Sequence, residues 1–191
     1  MTRSIIELKA TPDDIAIARL AAAAIALTCL ETALPSPLPG VKPGLANIVT
    51  LLVLYRFGWR VAVQVSLLRI VVAALLFGTF LTPTFWLALS GGLASLAVLG
   101  VAMRGLPARW FGPVGLSVIA AFAHIGAQLV LAYAWLIPHV GVFALAPIFF
   151  SAALITGVVN GVLAAHWLPR FAHATAAMDL VARPISPKVP A

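Results

Sequence analysis

Six apolar runs, at about residues 15–34, 43–57, 60–81, 84–103, 113–137 and 141–168, follow one another with only short polar breaks between them. A helix of ~20 apolar residues crosses a hydrocarbon core ~30 Å thick. Inside lipid every backbone N–H and C=O must find its partner within the protein, so runs of this kind are helices. The chain is therefore expected to be all-α, a polytopic membrane protein built as a bundle of about six transmembrane helices in the lipid bilayer. The second run, 43–57, is short for a crossing. Composition agrees: 63% of the residues are hydrophobic and 9% are charged, against roughly 25% charged in soluble domains.

The breaks carry most of the charge. Arg3, Lys9 and Arg19, then Arg56 and Arg60, Arg104 and Arg109, and finally Arg170, Arg183 and Lys188 fall on one side of a six-span chain, with Lys42 alone on the other. Basic residues accumulate on the cytoplasmic side, so both termini are expected in the cytoplasm. The net charge of +7 then reads as membrane orientation, and nucleic acid is not an expected partner. Three parts follow: a cytoplasmic N-terminal segment 1–14, a six-helix transmembrane domain 15–168, and a cytoplasmic tail 169–191. Thr11 or Asp13 would cap the first helix. Pro184, Pro187 and Pro190 favour a disordered tail.

Between the first two runs lies a stretch, 31–47, in which residues 34–43 cannot continue a helix. Its prolines at 35, 37, 39 and 43 lack an N–H and clash with the preceding turn. Pro43 suits the first turn of a new helix, whose free N–H groups at Gly44, Leu45 and Ala46 would favour an anion beside Lys42. Glu31 closes the first run, and a carboxylate there is costly unless it is paired or wetted. Asn47 points from this outer loop into the bundle.

Polar residues inside the later runs carry the rest of the signal. Arg69 lies about nine residues into the third run, hence ~14 Å deep at 1.5 Å per residue. A central arginine costs at least ~2.5 kcal/mol, so it should face the interior with a partner. Ser66 shares its face. His124 and Gln128 are one turn apart in the fifth run at a similar depth, with Ser117 two turns before His124. Together Glu31, Lys42, Asn47, Arg69, His124 and Gln128 outline a site for a small amphipathic ligand bearing an anionic group. Phe77, Phe80, Phe85 and Trp86 read as the interfacial aromatic belt, Asn160 as helix packing, and Gly91-Gly92 as a place of close approach. Ala18, Ala22 and Ala26 make a smooth face on the first helix, of the kind that lets another helix come near. The single cysteine, Cys29, gives one chain no disulfide, iron–sulfur or Cys-based zinc site. No cofactor and no metal site are expected.

The residues 31–47, with Arg69 and the His124/Gln128 stretch, resemble the Gx transporter family, also labelled heptaprenyl diphosphate synthase component I. The resemblance covers about residues 15–168, and its specific part is the loop ending Lys42-Pro43-Gly44-Leu45-Ala46-Asn47. In layout the family is similar to the substrate-binding (S) components of energy-coupling-factor transporters, which capture vitamins from outside. The resemblance implies a bacterial cytoplasmic (inner) membrane, and a coupling subunit contacted by Ala18, Ala22 and Ala26. It also implies partners that hydrolyse ATP, since no P-loop is present in the chain. Some members are associated with flavin-linked extracytoplasmic electron transfer. The synthase label implies isoprenoid chemistry, although the aspartate-rich diphosphate motif is missing from the sequence. The expected function is a membrane-embedded substrate-binding subunit for a vitamin- or flavin-like molecule, energised by a partner and not itself an enzyme. The alternative is a membrane subunit of an isoprenoid synthesis or flavin/quinone electron-transfer assembly.

Overall fold

The computed structural model describes residues 12–33, 44, 46–105 and 112–182, and among these there are six α-helices and no strand. They are α1 (Pro12–Ala33), α2 (Ala46–Phe57), α3 (Trp59–Leu76), α4 (Pro83–Gly105), α5 (Pro113–Leu131) and α6 (Ala146–Ala182). A π-helical turn, Ala132–Leu136, extends α5, and a 3-10 turn, Val140–Leu145, leads into α6. Four stretches are long and apolar enough to cross a membrane: Trp59–Leu76, Pro83–Gly105, Pro113–Leu136 and Val140–Arg170.

At 12 residues, α2 rises only ~18 Å and does not reach across a ~30 Å core. It is instead the centre of the bundle. Leu51, Val53 and Leu54 of α2 are almost fully enclosed, packed with Val65 of α3, Leu99 of α4 and Leu116 of α5. A helix that is apolar all round is a buried helix, and 48–54 is such a run except for Thr50. Around it α1 packs on α2 and α3, α3 on α4, α4 on α5, α5 on α6, and α6 back on α2. The α5–α6 seam is the closest. A Cβ placed on Gly161 would lie 2.5 Å from the Val114 Cα, and one on Gly157 3.0 Å from the Val118 Cα. Small residues at such seams let backbones touch, which is how helices associate without a hydrophobic drive between them.

The α2–α3 hairpin is tied by a hydrogen bond of 3.1 Å between Thr50 Oγ1 and Ser66 Oγ. At its closed end Trp59 donates its indole N–H to Leu96 O at 2.9 Å, and the Arg104 guanidinium lies over the Trp59 ring, 5.2 Å from the centroid. Arg56 and Arg60 flank the same turn.

Several boundaries differ from the sequence expectation, each for a local reason. The third helix stops at Leu76, not 81, because Gly78 adopts φ 65°; Gly78 N bonds Leu75 O and Thr79 N bonds Ala74 O, the Schellman closure that a left-handed glycine permits. α1 starts at Pro12, so Asp13 lies inside the first turn and does not cap it; Thr11 is outside the described residues. α2 starts at Ala46, not Pro43. Gly44 sits outside it at φ 72°, and the Gly44 carbonyl accepts from Asn47 N at 2.8 Å. The expected anion site involves Lys42, Pro43 and Leu45, which lie outside the described residues. Finally, α6 runs through Pro169 to Ala182, so residues 169–182, expected as a disordered tail, are helical. Five of its fourteen residues are alanine, the strongest helix former.

Candidate functional site

A cavity of about 450 Å³ lies inside the bundle and is walled by all six helices. Five of the six residues expected to form a site line it: Glu31 from the end of α1, Asn47 from the start of α2, Arg69 from α3, and His124 and Gln128 from α5. The sixth, Lys42, lies outside the described residues. Polar groups in a membrane-spanning bundle are costly unless they face its interior, and these do.

Arg69 is the eleventh residue of α3 and His124 the twelfth of α5, so both side chains start ~15 Å from their helix ends at 1.5 Å per residue. The Arg69 Nη2 donates to Asn47 Oδ1 at 3.4 Å, a long bond. Its Nε is buried and has no hydrogen-bond partner among the described residues. Glu31, only 6% exposed, supplies an opposite charge that attracts the guanidinium across the cavity.

On α5 the Gln128 Nε2 is 3.3 Å from Leu87 O and 3.1 Å from His124 Nε2. His124 fits there because residue 91 on α4 is glycine: a Cβ at Gly91 would meet the ring atoms Cε1 and Nε2 at 2.7 Å. Ser95 Oγ ties the same region together, donating to Gly91 O at 2.9 Å or to Ala120 O at 3.0 Å. The glycine pair thus serves the close approach its sequence suggested, with Ile70 filling the space over Gly92.

A family model described as heptaprenyl diphosphate synthase component I matches residues 20–167. The chain belongs to that family. No curated protein and no solved structure matches it. The matched region runs from within α1 to within α6 and includes every residue of the cavity wall as described.

For this member of the heptaprenyl diphosphate synthase component I family, the wall holds residues that sequence reasoning placed elsewhere. Asn160, read as plain packing, lines the cavity and donates Nδ2 to Gly44 O at 3.1 Å. That bond joins residues 116 positions apart, and no local pattern announces it. Ser117 and Thr156 also reach the wall. Phe77 and Phe85, expected in the interfacial belt, line the cavity as well; Phe85 is buried, whereas Phe77, Phe80 and Trp86 are 43%, 41% and 40% exposed. The Phe85 ring lies 5.0 Å from Phe80 and 5.4 Å from Trp86 between centroids. Ala18, Ala22 and Ala26 are exposed, facing away from the buried Ala21 and Ala24 on the same helix. Among the described residues no group of three or more His, Cys, Asp or Glu is arranged to hold a metal ion.

Proposed function

We propose that the chain is the membrane-embedded substrate-binding subunit of a small-molecule transporter, energised by a partner. The observation that carries this reading is the cavity itself: about 450 Å³, walled by all six helices, with Arg69, Asn47, His124 and Gln128 converging on it. Ligand sites are commonly concave spaces of roughly 300–1,000 Å³, mostly apolar with a few placed polar groups. A buried guanidinium with an unused N–H favours a ligand bearing an anionic group, and the apolar wall at Ile70, Phe85 and Phe149 favours an organic body of vitamin or flavin size. The described wall holds one carboxylate, Glu31, and so offers no paired-carboxylate dyad for acid–base work; binding is preferred to catalysis. ATP hydrolysis falls to a partner, since the sequence has no phosphate-binding P-loop. The exposed alanine face of α1 is the surface assigned to a coupling subunit. The end bearing Arg56, Arg60 and Arg104 is assigned to the cytoplasm of a bacterial inner membrane by the bias of basic residues, which puts both termini inside.

A second reading draws on the family's description, heptaprenyl diphosphate synthase component I, and on the aromatic side of the cavity. In it the chain is a membrane subunit of an isoprenoid-synthesis or flavin/quinone electron-transfer assembly. Native mass spectrometry of the gently extracted protein separates the two. A vitamin- or flavin-sized molecule leaving with the protein supports the capture subunit. A quinone, a prenyl lipid or only a larger redox subunit favours the second reading and contradicts the first.

A further inference from the structure

The side chains of Gln128 and His124 fix each other's hydrogen-bonding roles. Leu87 O can only accept, so the Gln128 atom 3.3 Å from it is the amide nitrogen. That same NH2 group is 3.1 Å from His124 Nε2, whose role follows the tautomer; with the amide nitrogen donating, Nε2 accepts and the ring proton sits on Nδ1. Both amide hydrogens are then used, and Gln128 Oε1 accepts no hydrogen bond from the described residues although Gln128 stands on the cavity wall. Across the cavity Arg69 Nε is buried and without a hydrogen-bond partner among the described residues. A buried polar atom left unsatisfied is destabilising; Arg69 Nε is such an atom among the described residues, and Gln128 Oε1 is an acceptor on the wall that no described residue completes.

We propose that Arg69 takes the anionic group of the ligand while Gln128 Oε1 reads a second feature, an N–H or O–H donor, and that His124 is a positioning residue that aims the Gln128 amide. This rests on the binding reading above and narrows it. The ligand class is a molecule with both an acidic group and a neutral donor such as a hydroxyl, amide or imide. An acid lacking the donor leaves Oε1 desolvated and binds at least ~10-fold more weakly.

Two measurements test the proposal. In 15N-histidine NMR of the full chain in lipid nanodiscs, with His124 assigned against His124→Asn, Nε2 is expected unprotonated and Nδ1 protonated. In Gln128→Glu no amide N–H remains to donate, so the ring proton is expected to move to Nε2, a change that a merely space-filling histidine would not make. A protonated Nε2 in the wild type overturns the proposal. For the second measurement, wild type, Arg69→Gln and Gln128→Leu are incubated with a deproteinised cell extract, and the retained small molecules are identified by mass spectrometry. The expected molecule carries both groups and is lost at least ~10-fold by each variant. Equal retention by wild type and Gln128→Leu overturns the proposal and leaves the binding reading standing. A wild type that retains nothing overturns both. If Gln128→Leu does not fold, the NMR comparison with the near-isosteric Gln128→Glu still decides.

Discussion

Adjacent glycines on α4 should respond unequally to the same substitution. In Gly91→Ala the new methyl would lie 2.7 Å from His124 Cε1 and Nε2, against an ordinary contact that begins at about 3.4 Å. The ring must retreat by ~0.7 Å, the difference of those two distances. Directed along the 3.1 Å contact to Gln128, that retreat opens it to ~3.8 Å, beyond hydrogen-bond reach. The lost bond costs ~1 kcal/mol and the overpacking ~1–3 kcal/mol, offset by ~1 kcal/mol of helix propensity gained on leaving glycine. The net is a loss of ~1–3 kcal/mol. In Gly92→Ala the methyl meets only Ile70 Cδ1, at 2.6 Å, with the next atom at 3.9 Å. A terminal methyl turns aside, and the helix propensity gain offsets most of the cost. Thermal unfolding of the two variants in detergent micelles, followed by tryptophan fluorescence, should show Gly91→Ala clearly less stable than Gly92→Ala. Ligand retention should fall only in the first. Equal stability and equal retention in both would refute the idea that Gly91 exists to seat His124.

Three further outcomes follow from the packing. Gly161→Ala puts a Cβ 2.5 Å from backbone at Val114, so α5 and α6 must separate and stability should fall by ~2 kcal/mol or more; Gly126→Ala, which meets only Phe150 Cζ at 3.9 Å, serves as the neutral control in the same melting assay. Asn160→Leu removes the donor to Gly44 O, and hydrogen exchange should quicken at the Asn47 amide, which bonds the same carbonyl, with a local cost of ~1–3 kcal/mol. Ala22→Leu roughens the exposed face of α1, so co-purification with a coupling partner should fail while small-molecule retention stays intact; unchanged co-purification would remove that face from the account.

The cavity residues were legible in the sequence because lipid leaves a polar side chain few choices. Arg69, His124 and Gln128 had to face inward, and their similar depth along separate helices made one shared space the natural outcome. Glu31 and Asn47 followed from flanking the proline stretch. What stayed hidden depended on contacts far apart in the chain or on single backbone angles. Asn160 gained its role from a carbonyl on the other side of the bundle. Pro43 suggested a helix start that the left-handed Gly44 moves to Ala46. Gly78 closed α3 within a run whose apolar residues argued for continuing. The second run was short for a crossing yet counted among the six spans, and its place at the centre of the packing came only with the fold. Nothing in hydropathy separates a buried central helix from a lipid-facing one of equal composition.

The central claim is that the space among the six helices is a ligand site. A cryo-EM structure of the protein in nanodiscs, carrying the small molecule with which it is extracted, tests it most directly. The account predicts density inside the bundle in contact with both Arg69 and Gln128. An empty cavity with the molecule bound elsewhere, or lying only against the outer faces, would contradict it.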